Sequence, residues 1–192
     1  MSISYRERMS AVDPLPPETP IGQRRVATEA ESKALASTLR MRILRVCLHE
    51  PHSNKEIAGV LGKDPATTLH HVRRLIDTGF LAAQPVRRGT RGSREIPYLA
   101  TRKSWRLSIP SGNGILLDTF LEEAAQVPID ELDTARLGLL LSDAERDELM
   151  DDLMGVLERY RVRTTPPEGR PAEDARAWSL FLAVHADPNQ LT

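Results

Sequence analysis

Apolar side chains recur at helical spacing between residues 27 and 50, in the stretch that contains LRMRILRVCLHE. The stripe is formed by Leu39, Ile43, Leu44, Cys47 and Leu48. Pro51 lacks a backbone N–H and cannot continue this pattern. The spacing therefore predicts one amphipathic helix that starts near Ala27 and ends before Pro51.

Two shorter helices are predicted directly after this proline. In SNKEIAGVLG, Ser53 and Glu56 have the spacing of a capping box, in which each side chain bonds the backbone N–H of the other residue. In DPATTLHHVRRLIDTG, Asp64 is placed as an N-cap and Pro65 as the first helical residue. The inner face of this second helix is predicted to contain Leu69, Val72, Leu75 and Ile76. Two short helices joined by a few residues that include a glycine indicate a helix-turn-helix.

A β-hairpin is predicted to follow the second of these helices. FLAAQPV and IPYLAT have the composition of strands, and RRGTRGSRE between them is a basic turn broken by two glycines. A hairpin in this position converts a helix-turn-helix into a winged helix.

The C-terminal part of the chain has its own pattern. GILLDTFLEEAAQV predicts an amphipathic helix that ends before Pro128. A second helix, SDAERDELMDDLMGVLERYRVR, starts with a capping box formed by Ser142 and Glu145. The apolar segments ARLGLLLS and AWSLFLAVH flank this helix and are predicted as strands, the latter buried. Strand, helix and strand in this order are typical of a small α/β unit.

These elements predict an α+β fold in three parts. Residues 1–24 carry four prolines and few apolar residues, which predicts a disordered arm. Residues 25–110 form a winged helix-turn-helix DNA-binding domain. Residues 111–192 form an acidic region for dimerisation or effector binding, made of one helix and the strand–helix–strand unit.

The charges of the two halves differ in sign. Residues 1–110 contain 19 lysines and arginines against 10 acids, whereas residues 111–192 contain 7 against 17, which leaves a net charge of −1 for the chain. One half is suited to approach polyanions and the other is not. Arginine greatly outnumbers lysine, which either a GC-rich genome or selection for phosphate contacts would explain.

Several classes of protein are disfavoured by the composition. No apolar run reaches the roughly 18 residues that a membrane span needs, and the N-terminal segment lacks the apolar core of a secretory signal. The single cysteine excludes an internal disulfide and fits a reducing compartment. We therefore expect a cytoplasmic, nucleoid-associated protein that does not contact membranes.

Residues 35–105 resemble the ArsR-type winged-helix transcriptional regulators. LASTLRMRILRVCL is similar to the helix that precedes their helix-turn-helix, SNKEIAGVLGKDPATTLHHVRRLIDTGFL to the helix-turn-helix itself, and PYLAT to their second wing strand. The resemblance implies a homodimer that binds a partly palindromic operator in double-stranded DNA and usually represses transcription. The acidic C-terminal region resembles an extension found in actinobacterial members.

The segment RVCLHEPHS raises the question of a metal site, because some members of this family sense metals. Cys47, His49 and His52 lie close together in sequence. However, the sequence has no second cysteine, and zinc needs more thiolates or imidazoles than one helix end supplies. Cys47 also belongs to the apolar stripe, so burial as a small hydrophobic residue is the simpler interpretation. We expect no metal and no cofactor.

The outer face of the second short helix is predicted to enter the major groove of DNA. Its DNA-binding residues are predicted to be Thr67, Thr68, His70, His71, Arg73 and Arg74. Arg74 has the geometry for a bidentate contact to guanine, whereas Arg73 lies towards the flank and is expected to reach phosphate. His71 has the alternative of packing or capping locally. The expected additional backbone contacts are Lys55 and Lys63.

The turn of the hairpin is predicted to enter the minor groove. Its candidate residues are Arg87, Arg88, Arg91 and Arg94. Arginines at a hairpin tip suit a narrow minor groove, where they sense groove width and potential rather than base identity. The alternative is a solvated charged loop.

Three functions from different classes are compatible with these features. The first is a sequence-specific DNA-binding regulator, most simply a repressor, with an effector that the sequence does not name. The second is a winged helix that binds proteins, which the arginine-rich wing disfavours. The third is an enzyme with an appended winged helix, but the sequence lacks a glycine-rich phosphate loop, a serine nucleophile motif or clustered metal ligands. Trp105 and Trp178 are interpreted either as core residues or as contacts for an apolar effector.

Overall fold

Six helices and seven short strands occupy the described part of the chain, which in this computed structural model comprises residues 24–89, 92–109, 112–163 and 176–189. The arm predicted for residues 1–24 lies, except for residue 24, outside the described residues. The chain divides into two compact units, residues 1–122 and 123–192. The first unit therefore extends beyond the boundary expected at residue 110 and includes most of the helix expected to open the acidic region.

Five of the helices begin in the first unit. They are α1 Glu29–Leu35, α2 Thr38–Val46, α3 Asn54–Leu61, α4 Pro65–Asp77 and α5 Asn113–Ala124. The strands are β1 Arg25–Val26, β2 His52–Ser53, β3 Leu81–Ala83, β4 Arg87–Arg88, β5 Arg94–Glu95, β6 Pro97–Ala100 and β7 Leu107–Ser108.

The single helix predicted before Pro51 is in fact two helices, and that prediction is wrong. Ala36 leaves the helical conformation with a ψ of 54°, and the side chain of Ser37 caps α2 by accepting a hydrogen bond from the backbone N–H of Arg40 at 3.5 Å. A serine cap satisfies a backbone donor that a helix start leaves without a partner. The apolar stripe continues across the break, which is why periodicity alone did not reveal it.

The predicted helix-turn-helix is confirmed as α3 and α4. Ser53 and Glu56 form the expected capping box, and Gly62 ends α3 in the left-handed conformation with a φ of 60°. A left-handed residue here favours glycine, because any Cβ would be strained. Asp64 then caps α4, where its carboxylate accepts hydrogen bonds from the backbone N–H groups of Ala66 and Thr67.

The predicted hairpin is also present. β6 lies at the centre of a three-stranded antiparallel sheet with β2 on one side and β3 on the other. β4 and β5 extend the connection between β3 and β6 as a separate two-stranded ribbon, the wing. β1 and β7 form a parallel pair.

One hydrophobic core lies between the helices and the three-stranded sheet. Its fully buried side chains include Ile43, Cys47, Ile57, Val72, Leu75 and Phe80. Each large apolar side chain that is removed from water in this way contributes about 1.5–3 kcal/mol. One face of α4 contributes side chains to this core. The opposite face of α4 is therefore exposed to solvent.

The second unit contains α6, Asp143–Arg163, whose start is capped by the predicted capping box of Ser142 and Glu145. The two segments predicted as strands, residues 135–142 and 177–185, have no regular secondary structure. Leu140 is 96% exposed and Trp178 is 79% exposed. The strand prediction is wrong for the single chain, because an apolar segment forms a strand only where another strand offers its backbone hydrogen bonds.

Candidate nucleic-acid interface

The exposed face of α4 carries most of the residues of this helix that were predicted to contact DNA. Thr67, His70, Arg73 and Arg74 are exposed, and His71 is half-buried at the edge of this face. At 100° per residue, these positions lie opposite the buried residues of the same helix. The helix thus presents a basic and polar surface that is free of acidic groups until Asp77, its last residue.

The prediction that Thr68 faces DNA is wrong. Its side chain is fully buried, and its hydroxyl donates a hydrogen bond to the carbonyl oxygen of Asp64 at 3.0 Å. A threonine in a helix can satisfy its hydroxyl on the carbonyl four residues earlier, and this allows it to pack as a small apolar residue. Thr68 therefore belongs with Val72 and Leu75 on the inner face.

An arginine that the sequence did not single out contacts the recognition surface. Nη1 of Arg40, on α2, lies 3.3 Å from Nδ1 of His71. The pKa of His71 is lowered by burial first, then by the charges of Arg40 and His70. The pKa of Arg40 is lowered by burial and by the charge of Arg74. Arg40 of α2 thus adds its positive charge to the basic groups of α4 that are predicted to contact DNA.

The turn of the helix-turn-helix is fixed by Asn54, the first residue of α3. Its side-chain amide donates to the carbonyl oxygen of Pro65 at 2.8 Å, which ties the start of α3 to the start of α4. Lys55 and Lys63 are exposed next to this turn. Their positions are compatible with the predicted contacts to phosphate.

The wing exposes arginines on both of its strands. Arg88 pairs with Arg94 across the ribbon, and both side chains are exposed. Arg87 is exposed as well but forms an ion pair with Glu56, the capping-box carboxylate of α3. Arg91 lies outside the described residues. Of the three wing arginines in the described residues, Arg88 and Arg94 are therefore best placed for a polyanion, whereas the charge of Arg87 is partly neutralised.

The C-terminal end of α4 is held by Lys103. Its Nζ donates to the carbonyl oxygen of Thr78 at 2.7 Å, lies 2.9 Å from Glu31 Oε1, and sits 5.2 Å from the ring centre of Phe80. Glu31 is buried and also receives hydrogen bonds from Arg25, the nearer at 2.6 Å. The contact with Arg25 is the main reason why the pKa of Glu31 is far below its usual range.

Cys47, His49 and His52 do not converge on a common site. Cys47 is fully buried, and burial raises the pKa of its thiol to about 12, so it is protonated at neutral pH. His52 lies on β2 and its Nδ1 is 2.8 Å from the carbonyl oxygen of Glu50, while His49 is exposed at the end of α2. Within the described ranges, no group of three or more histidines, cysteines and acids is placed to hold a metal ion.

Neither tryptophan lines the small pocket that α1, α2 and α5 form. Trp105 is half-buried beneath the guanidinium of Arg102, which lies 5.4 Å from its ring centre, and Trp178 is exposed. A pocket of about 30 Å³ is lined by residues of α1, α2 and α5 together with Ile109 and Gly112. This volume holds about one or two water molecules and is too small for an organic effector.

Comparison with known proteins identifies the fold of this surface. Residues 39–82 match the family described as winged helix-turn-helix DNA-binding, in agreement with the winged-helix fold of this part of the chain. No curated protein matches the chain. No helix in the described part of the chain is long and apolar enough to cross a membrane.

The solved structures that are similar to the chain include the following three. One is a homodimeric winged helix-turn-helix DNA-binding domain from Mycobacterium bovis, described as a possible ArsR-family transcriptional regulator. It is 17% identical in sequence and has a TM-score of 0.32; the match covers 54% of this chain and 82% of that chain. The transcriptional regulator SlyA is 21% identical, with a TM-score of 0.33, over 70% and 80%. A mutant of ZitR from Lactococcus lactis in its apo form is 17% identical, with a TM-score of 0.30, over 67% and 86%.

Proposed function

We propose that this protein is a sequence-specific DNA-binding transcriptional regulator, and that it acts as an ArsR-like homodimeric repressor. The observation that carries the proposal is the outer face of α4, where Thr67, His70 and Arg74 are exposed within a domain of DNA-binding type. These side chains hydrogen-bond to base edges, and α4 has the length and position of a helix that enters the major groove.

The wing and the turn supply the contacts that position this helix. Arg88 and Arg94 approach the minor groove next to the recognition site, and Lys55, Lys63 and Arg73 approach phosphates on either side. Phosphate contacts of this kind give affinity without sequence preference, whereas α4 provides the discrimination. The net charge of about +9 over residues 1–110 supports this division, because it attracts the domain to any DNA.

The second copy of the chain pairs through α5. Leu116, Leu117 and Leu121 of this helix are 39%, 40% and 54% exposed in the single chain. Apolar surface along a helix favours burial against a partner, and two-fold symmetry lets the same surface serve both copies. The dimer then reads two half-sites about one helical turn apart, which predicts a partly palindromic operator.

Selection of binding sites from a random DNA library tests the proposal. The protein should enrich a partly palindromic motif, and a His70→Ala, Arg74→Ala variant should enrich none. An Arg136→Ala variant, which removes one exposed arginine from the second unit, serves as the charge-matched control and should enrich the same motif. Failure of the wild-type protein to enrich any motif would contradict the proposal and favour a winged helix that binds another protein.

Sedimentation equilibrium tests the oligomeric state separately. The wild-type chain should sediment as a dimer, and Leu117→Glu, Leu121→Glu should sediment as a monomer with the helical content retained. A wild-type monomer at micromolar concentration would contradict the homodimer. A reporter gene placed behind the enriched motif then separates repression from activation.

A further inference from the structure

The guanidinium of Arg40 is held at three points between α1 and α4. Its Nε donates to the carbonyl oxygen of Ala34, and its Nη2 donates to that of Lys33 at 2.8 Å. These carbonyls belong to the last turn of α1, where a helix has no internal donors left for them. The remaining nitrogen, Nη1, is thereby directed at Nδ1 of His71 on the recognition helix, 3.3 Å away.

The chemistry of this pair fixes the direction of its hydrogen bond. A guanidinium has donors only and keeps its charge in proteins, so Arg40 cannot accept a hydrogen bond. Nδ1 of His71 must then be the acceptor, which requires that it carry no proton. A neutral imidazole with a bare Nδ1 bears its proton on Nε2.

We infer that Arg40 is a positioning residue that holds His71 in its neutral, Nε2-protonated form, so that His71 offers DNA a hydrogen-bond donor and selects an acceptor atom such as a phosphate oxygen or a purine N7. This inference rests on the proposed function. On this inference, His71 is a fixed hydrogen-bond donor on the recognition helix, and Arg40 of α2 fixes its tautomer.

The surroundings of His71 oppose its protonation. Arg40 faces it from α2, and the ring of His70 meets it edge-to-face on α4, with 5.6 Å between the ring centres. Arg74 adds a further positive charge next to Arg40 on the same surface. A second proton on His71 would place an N–H against the guanidinium donor, so burial and these charges together keep the imidazole neutral at pH 7.

The first test is nitrogen-15 NMR of the histidine side chains in the free, full-length protein at pH 7.5. The signals of His71 should show a bare Nδ1 and a protonated Nε2. In Arg40→Met, His71 should populate the other tautomer measurably, or titrate at a higher pH. Arg42→Met is the matched control, because Arg42 lies on the same helix but faces Glu122 at 3.9 Å, and it should leave the His71 signals unchanged. A wild-type His71 that is protonated, or that carries its proton on Nδ1, overturns the inference even if the variant fails to fold.

The second test is a double-mutant cycle on the DNA motif enriched above, with Arg40→Met, His71→Ala and the double variant. His71→Ala should weaken binding by about three- to tenfold, as expected for one hydrogen bond. Arg40→Met should weaken it by less, because part of the His71 population keeps a proton on Nε2. The double variant should bind no more weakly than His71→Ala alone, because Arg40 acts on DNA only through His71. Additive losses would mean that Arg40 acts only by capping α1 or by touching DNA itself. If no DNA is bound at all, the proposed function fails while the NMR result on the free protein still decides the tautomer.

Discussion

The ammonium group of Lys103 lies 2.9 Å from the buried carboxylate of Glu31. Because the same ammonium donates to the carbonyl oxygen of Thr78, this ion pair connects α1 to the C-terminal end of the recognition helix. Arg25 and the backbone N–H of Thr28 also donate hydrogen bonds to the carboxylate of Glu31. A carboxylate that is buried with several donors stabilises the fold only while it is ionised.

This ion pair predicts a pH-dependent contribution to stability. The pKa of Glu31 is lowered in the folded protein, chiefly by Arg25, so the stabilisation is fully present above its ordinary value of about 4.5 and is lost as the pH falls below that. Glu31→Gln should lower the free energy of unfolding by about 1–3 kcal/mol at pH 7. Urea denaturation should show a smaller difference between the two proteins at pH 3.

Glu29→Gln is the control for this measurement, because Glu29 is exposed and, within the described ranges, forms an ion pair with Lys33 in the same helix. An exposed pair of this kind contributes less than about 1 kcal/mol. Equal losses for Glu31→Gln at pH 7 and pH 3 would show that the carboxylate of Glu31 does not act through its charge.

Replacement of Arg74 separates base recognition from general attraction. Arg74→Ala should weaken binding to the operator by about 1–3 kcal/mol, since a bidentate contact to guanine contributes that much discrimination. Binding to random DNA should change far less. Titration of both duplexes at one salt concentration provides the comparison. Equal losses of affinity for the operator and for random DNA would show that Arg74 contacts the DNA backbone and not a base.

Substitution of the wing arginines should reduce DNA affinity in a different way from substitution of Arg74. Arg88→Ala, Arg94→Ala should weaken binding to all duplexes alike and should make the salt dependence shallower, by about 0.9 in the log–log slope for each phosphate that the wing no longer neutralises. Arg87→Ala should have a smaller effect, because Glu56 already neutralises part of the charge of Arg87. If the double substitution leaves the slope of the salt dependence unchanged, the wing does not contact phosphates in the complex.

Cys47 is predicted to be chemically inert in the folded protein. Its thiol is fully buried with a pKa of about 12, and the thiolate is the reactive form. A thiol reagent should label Cys47 only at the rate of unfolding, and Cys47→Ala should leave DNA binding intact while it lowers stability. Rapid stoichiometric labelling of the native protein at pH 7.5 would show that the thiol of Cys47 is accessible in the folded state.

Local signals in the sequence were sufficient for the helix-turn-helix. A capping box at Ser53, an N-cap followed by Pro65, and a glycine after each helix define boundaries without reference to the rest of the chain. The exposed face of α4 followed from these boundaries and from helical periodicity. The strands β3 and β6 were found for a similar reason, because turn residues bound them on both sides.

Features that depend on distant contacts were not predictable in the same way. The burial of Thr68 requires that its hydroxyl bond Asp64, which residue type alone does not indicate. The contact between Arg40 and His71 joins residues that are 31 positions apart. The apolar segments at 135–142 and 177–185 were predicted as strands from composition, but composition does not supply the neighbouring strand that a β-structure needs.

Fluorescence anisotropy tests most directly whether α4 recognises a specific DNA sequence. The protein is titrated against the DNA upstream of its own gene and against a scrambled duplex, each across a salt series. The wild-type protein should bind the upstream DNA more tightly than the scrambled duplex, and its affinity for both should fall steeply with salt. Arg74→Ala should lose the preference for the upstream DNA. Equal affinity of the wild-type protein for the upstream and scrambled duplexes would contradict recognition of that DNA by α4.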